Sequence, residues 1–410
     1  MVIRWVAAAI VFSVLLPQSA SAQSADEPPA WHVMQDATVY GLFNHQGGPR
    51  GGDEFRVPNW WMGMFERNVR SSTLTINTMV SLDALTVGKK GYRELFQVGE
   101  AFEGEPLIDY QHPHDLFMQL AAVWRMPIGT QTGFTLAGGP SAEPALGPVA
   151  VMHRASALEN PMSPLSHHTF DSTHIAFGVI TAAVDRGPWT IEGSIFNGRE
   201  PDEDRWDFDF GALDSYSGRV WFRPRPEWEF QMSSGRLKSP EELGHGNITR
   251  TTGSASWLKQ DAENFTAVTA AFGVNAGEDA SRHAILLEAT RRAGRYSTYG
   301  RLEFVDVETG LLLDDHAIGH EVKDTVAALT LGGVRELPRW HKFETGIGAA
   351  LTVYGVPDRL TPSHGNRPVS LQVFVRMRPS AGAMGRMWNM YMTKPMHPAA
   401  ADPHAGHHMP

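Results

Sequence analysis

From about residue 30 onward, apolar and polar side chains alternate with a period of two, and helical periodicity is scarce. In the stretch 73–83 one face reads Leu74, Ile76, Thr78, Val80 and Leu82, and the other Thr73, Thr75, Asn77, Met79, Ser81 and Asp83. Trp189, Ile191, Gly193 and Ile195 stand against Thr190, Glu192, Ser194 and Phe196, and Trp228, Phe230 and Met232 against Glu229, Gln231 and Ser233. Near the C-terminus, Leu371, Val373, Val375 and Met377 stand against Ser370, Gln372, Phe374 and Arg376. Such alternation gives each strand one apolar and one polar face. About sixteen segments read as strands: 36–45, 57–69, 71–83, 114–126, 129–138, 173–185, 187–197, 212–224, 227–236, 249–260, 263–274, 282–291, 294–305, 321–335, 339–354 and 368–378.

The connections sharpen this reading. Short links near 70, 127–128, 185–187, 225–226, 261–262, 293 and 337–338 alternate with long ones at 46–56, 84–113, 139–172, 198–211, 237–248, 275–281, 306–320 and 355–367. Unbroken alternation of this kind predicts an all-β fold: a transmembrane, up-and-down antiparallel β-barrel with short periplasmic turns and long extracellular loops. Most segments reach the ~9–11 residues that a tilted strand needs to cross hydrocarbon. Closure pairs every backbone group that lipid cannot hydrate. Trp60, Trp61, Trp124, Trp189, Trp228, Tyr296 and Trp340 fall near strand ends, where aromatic girdles form.

Composition narrows the setting. The 410 residues include no cysteine, which removes disulfides, thiolate metal sites and cysteine nucleophiles together. A formal net charge of −10, from 35 basic and 45 acidic residues, argues against a nucleic-acid partner. Arg4, the apolar run Trp5–Leu16 and the small-x-small site Ala20-Ser21-Ala22 predict a signal peptide over 1–22. The expected layout is then a periplasmic segment at 23–35, the barrel at 36–378 and a Met/His-rich tail at 379–410. Outer-membrane lipid is the expected partner, with both termini periplasmic in a Gram-negative bacterium.

Candidate chemistry gathers in three places. The polar strand faces carry Glu192, Arg219, Arg223, Glu229, Glu288, Arg301 and Glu303, with Glu344 and Arg376, which predicts a charged lumen. A barrel of roughly sixteen strands is wide enough for an aqueous channel unless loops plug it, and the third long loop is the natural plug. That loop carries His153, His167, His168, Asp171 and His174, and the second carries His112, His114 and Asp115. Imidazole with nearby carboxylate suits copper or another divalent transition metal, so these residues are expected to converge at the extracellular mouth. His112 and His114 flank a proline that disfavours helix, and only one of the two is expected to face a shared ion.

The tail offers Met387, Met390, Met392, Met396, His397, His404, His407 and His408, a set whose thioethers suit Cu(I); the alternatives are a low-complexity end or adhesion of Met384 to Met392 to the barrel. Its prolines and alanines deny it a core of its own, so its end is expected to be disordered. No Gly-x-Ser-x-Gly elbow, Walker loop or His-Glu-x-x-His helix is present, and no catalytic residue is assigned. The residues thus predict a passive channel or ligand-binding barrel with metal handling. The alternatives are an outer-membrane hydrolase acting from its loops, or a plugged structural barrel.

Several motifs resemble an uncharacterised family of Gram-negative outer-membrane β-barrel proteins, sometimes associated with heavy-metal handling. They are Gly51-Gly52-Asp53-Glu54-Phe55, Gln111-His112-Pro113-His114-Asp115, Pro144-Ala145-Leu146-Gly147-Pro148, His153-Arg154, Asp171-Ser172-Thr173-His174 and Asn197-Gly198-Arg199-Glu200-Pro201-Asp202-Glu203. The resemblance covers nearly all of the mature chain and implies a barrel without assigning an activity. All these motifs fall in or beside the long loops.

Overall fold

A computed structural model describes residues 31–241, 246–261, 264–315, 317–380 and 386–395. The expected signal peptide lies outside them. Sixteen strands close into one antiparallel barrel. They are β1 (His32–Gln46), β2 (Asn59–Val69), β3 (Ser72–Val80), β4 (Phe117–Pro127), β5 (Thr132–Ala142), β6 (Ala176–Arg186), β7 (Trp189–Phe196) and β8 (Ser215–Arg225). The second half comprises β9 (Trp228–Leu237), β10 (Ile248–Asp261), β11 (Asn264–Ala276), β12 (Ser281–Ala293), β13 (Tyr296–Glu308), β14 (Lys323–Glu336), β15 (Phe343–Gly355) and β16 (Val369–Pro379). Each strand pairs with its sequence neighbour, and β1 pairs with β16 from Val39↔Met377 to His45↔Leu371. A short strand, Gly52–Arg56, extends the β2 side along the upper part of β1. The first strand starts at His32, inside the stretch assigned above to a periplasmic segment.

The faces are inverted relative to a protein that folds in water. In β7 the exposed residues are Trp189, Ile191, Gly193 and Ile195, while Thr190, Glu192, Ser194 and Phe196 are buried. Around the barrel, Ile191, Met232, Leu331 and Val375 are among many large apolar side chains on the outer face. A contiguous apolar band of this kind is tolerated by lipid, not by water. Trp124, Trp189, Trp228, Tyr296 and Trp340 are outward-facing aromatics at the short-turn end of the barrel, forming one girdle. Trp60 departs from that reading: it packs inward against a lumenal methionine cluster and His153.

The outward band sets a direct expectation. Leu329 lies at the middle of β14 on the exposed face. Leu329→Arg should lower barrel stability by about 2–4 kcal/mol, the penalty for a cation on the lipid face near the midplane. Equilibrium unfolding from lipid vesicles measures it, and a loss below about 1 kcal/mol would contradict a lipid-facing assignment.

The lumen is filled. The long connection 143–175 turns inward and packs against the wall, and 81–116 folds beside it. From the opposite, short-turn end, residues 386–395 leave β16 and cross the opening as a strap. In the strap Trp388 packs on Phe265, and Tyr391 stacks on Trp221 with ring centroids 4.3 Å apart. Loop and strap meet where the Asn389 N–H donates to the His153 carbonyl and the Ala155 N–H donates to the Asn389 side chain, at 2.9 and 3.0 Å.

Candidate functional site

Charge holds the inward loop in place. Arg154, 1% exposed, donates from Nε to Glu288 at 2.8 Å, and from Nη1 to Asp171 at 3.1 Å and to the Val149 carbonyl at 3.0 Å. Arg301 donates to the same Glu288 at 3.0 Å and to the Met162 carbonyl at 3.0 Å. Glu303 accepts from the backbone N–H groups of Leu165 and Ser166 and from the Ser166 hydroxyl. Arg219 joins Glu192 on the wall at 2.6 Å to Glu143 at the start of the loop at 3.0 Å. Arg376 and Arg378 on β16 share the loop's Glu159. The strap is held in the same way: Arg223 donates to the Tyr391 hydroxyl, and Lys394 pairs with Glu229.

All nine residues expected to line the lumen point into it. Glu192, Arg219, Glu229, Glu288, Arg301 and Glu303 are each at most 8% exposed, however, because loop and strap cover them. Buried charges are tolerated only when paired and hydrogen-bonded, as here.

Between the two inward loops lie five imidazoles. Pro113 keeps its neighbours out of helix, and a single helical turn, His167–Phe170, presents two adjacent histidines. The His167 ring centroid is 5.4 Å from that of His112, 5.3 Å from His168 and 5.4 Å from His174, and His114 stands 5.6 Å from His174. Four of the five have an oxygen near at least one ring nitrogen. His112 Nε2 meets Glu100 at 3.0 Å and its Nδ1 meets the Pro113 carbonyl at 3.2 Å, His114 Nδ1 meets Asp83 at 2.8 Å, and His168 Nδ1 stands 3.5 Å from Glu200 without a hydrogen bond. His174 Nδ1 contacts the Asp171 carbonyl at 2.6 Å. His167 is fully buried with neither ring nitrogen partnered, and Nε2 of His174 is likewise buried and unpartnered.

Burial favours the neutral imidazole. It pushes His167 well below its usual range and His112 below it, the neighbouring histidines reinforcing the effect on His167. His174 is lowered to about 3 by burial and by His114. His168 moves the other way: burial lowers it, but the charge of the Glu200 carboxylate, with that of Glu100, raises it by more. Glu100 is held down to about 2, because Arg205 and His112 overcome its burial.

The eight loop residues expected to converge divide into groups. His112, His114, His167, His168 and His174 come together within the long-loop half of the lumen. His153 stands apart, its ring 6.0 Å from Trp60. Asp115 pairs with Arg205, and Asp171 with Arg154, so both carboxylates serve ion pairs. The rings of His112 and His114 lie 6.4 Å apart and both belong to the cluster, while both nitrogens of His112 meet oxygens, of Glu100 and of the Pro113 loop carbonyl. Positions two apart on extended backbone share a side. Sequence reasoning missed the orienting carboxylates of Asp83, Glu100 and Glu200, which come from segments distant along the chain.

The tail expectation also changes where the chain is described. Met387 and Met390 pack into a cluster of eight methionines with Met34, Met62, Met64, Met79, Met118 and Met152, and Met392 enters a different cluster. These three thioethers are packed apart rather than free to wrap one ion. Met396, His397, His404, His407 and His408 lie outside the described residues. The lumenal methionines were legible only in part. Met62 and Met64 sit two apart on β2, and Met62 lies directly across from Met79 on β3.

No protein-family model and no curated protein matches the sequence. The structural neighbours are outer-membrane β-barrel proteins. Pseudomonas putida OprB is 8% identical, with 85% of this chain and 94% of that chain covered at a TM-score of 0.52. The anion-selective porin from Comamonas acidovorans is 11% identical, with 85% and 99% covered at 0.51. Salmonella typhi OmpF, solved with daunomycin, is 7% identical, with 84% and 97% covered at 0.50. At these identities the likeness establishes the fold.

Proposed function

We propose that this chain is an outer-membrane barrel of porin type closed by its own loop and strap: a gated passive channel with a ligand-binding lumen. The observation that carries this reading is the burial of the lumenal charges. Arg154, Arg219, Arg301, Arg376, Glu159 and Glu288 are each no more than 3% exposed, whereas an aqueous channel would wet them. Sixteen strands give a barrel wide enough to conduct when empty, so here the contents of the lumen, not its diameter, set the permeability. The apolar outer band and the expected signal peptide support an outer-membrane location, with long loops outside and both termini periplasmic.

The test is planar-bilayer recording of the refolded full-length protein, its insertion verified by heat-modifiable gel migration. At neutral pH and low voltage the expected trace is closed, without the large steps that an open barrel of this width gives on insertion. Immediate stepwise conductance would overturn the gated reading. Recovery of the protein from cells as a water-soluble periplasmic species would overturn the location.

A further inference from the structure

We infer that the five-histidine cluster between the inward loops is a binding site for one divalent late transition-metal ion of the Zn²⁺, Cu²⁺ or Ni²⁺ class, centred on His167. The inference rests on the cluster's geometry and stands whether or not the barrel conducts.

Three independent observations support it. The first is spacing. A metal–nitrogen bond of about 2.0–2.1 Å places each ring centroid roughly 3.2 Å from the ion, so two imidazoles at a tetrahedral angle stand about 5.2 Å apart. His167 lies 5.3–5.4 Å from three neighbouring rings. Among the described residues no three of these ring nitrogens lie within 4.8 Å of one another, so binding has to turn the rings until their nitrogens converge.

The second is orientation. Histidines that bind metal nearly always give their other ring N–H to a carboxylate or a backbone carbonyl, which fixes the tautomer and raises the basicity of the ligating nitrogen. Asp83 and the Asp171 carbonyl serve His114 and His174 in this way and leave Nε2 of each as the ligating nitrogen. Histidines that merely filled a core would need no such repetition.

The third is an unmet demand. Both nitrogens of His167 and Nε2 of His174 are buried without a partner, and buried polar atoms normally have one. A bound cation would meet that demand, and neutral imidazole is the form that coordinates. Soft thiolate is absent from the chain, so the donor set is nitrogen, which suits borderline cations rather than Mg²⁺ or Ca²⁺. Solvent reaches the cluster from two sides. A cavity of about 70 Å³ touches His168, and one of about 80 Å³ touches His114.

The test uses the full-length protein refolded in detergent, carrying His397→Ala, His404→Ala, His407→Ala and His408→Ala so that the tail contributes no imidazole. Titrated with Cu²⁺, it should bind one ion per chain and show nitrogen hyperfine coupling from several imidazoles in the electron paramagnetic resonance spectrum, and Cu²⁺ should displace previously bound Zn²⁺ or Ni²⁺. Asp83→Asn, which alters the partner of His114 Nδ1, should weaken binding about 10–100-fold, the usual effect of losing an orienting partner, and His167→Ala should weaken it at least as much. If His167→Ala does not fold, stoichiometry and nitrogen coupling in the tail-substituted protein decide alone. Absence of binding at micromolar Cu²⁺, a spectrum without nitrogen coupling, or unchanged affinity in a folded His167→Ala variant would each overturn the site.

Discussion

Arg154→Ala is expected to destabilise the folded barrel by about 3–5 kcal/mol, the usual cost of removing one partner from a buried ion pair. Arg154 reaches from the inward loop to Glu288 on β12 while also holding Asp171 in its own loop. Arg301 remains beside Glu288 after the substitution, so that carboxylate keeps one partner at 3.0 Å. Asp171 is 1% exposed and is left with a buried charge, unless it takes up a proton. Burial already pushes the Asp171 carboxyl above its usual range, with Arg154 the strongest opposing influence. Arg154→Lys keeps the charge but cannot serve two carboxylates and a carbonyl with one fork, so it should fall between wild type and Ala. Lys89 is exposed, and Lys89→Ala should stay within about 0.5 kcal/mol. Equilibrium unfolding in detergent or vesicles measures all three. If Arg154→Ala matched Lys89→Ala, the loop would not be held by charge.

The barrel was legible because lipid imposes one rule on every strand. The predicted segments 187–197 and 227–236 match Trp189–Phe196 and Trp228–Leu237 closely, since each outward position must be apolar and each turn must be short. Alternation reports which face a residue occupies. It does not report what fills the space that face encloses. Glu192, Arg219 and Glu288 were therefore assigned inward correctly, while their burial depended on a loop and a strap whose paths carry no periodicity. The histidine cluster was half legible. Spacing within one loop suggests candidates, but Glu100 meets His112 and Glu200 meets His168 only through tertiary folding. The strap was missed for a different reason. Its methionines read equally as ligands on a free chain and as a segment adhering to the barrel, and the lumenal Met62, Met64 and Met79 that receive Met387 and Met390 lie some three hundred residues earlier.

Because loop and strap lie in series along any passage, conductance should respond to them non-additively. Arg154→Ala loosens the loop but leaves the strap across the short-turn end. Tyr391→Ala removes the ring that stacks on Trp221, lies 5.2 Å from the Arg219 guanidinium and accepts from Arg223, but leaves the loop bound to the wall. Either single variant should stay closed in a planar bilayer, while the double variant should show stepwise conductance. Acid acts at the joint between the two elements, where the His153 carbonyl accepts from Asn389. Burial lowers His153 to about 4, below the ~6.5 of an exposed histidine. The folded state therefore binds this proton later than the unfolded state does, and its contribution to stability is present above ~6.5 and lost as the pH falls toward about 4. In that window Tyr391→Ala alone should begin to conduct, and His153→Gln, which cannot take the proton, should remove the pH dependence. Stepwise conductance in both single variants at neutral pH would show that each element seals the barrel only with the other in place, and the series arrangement would fail.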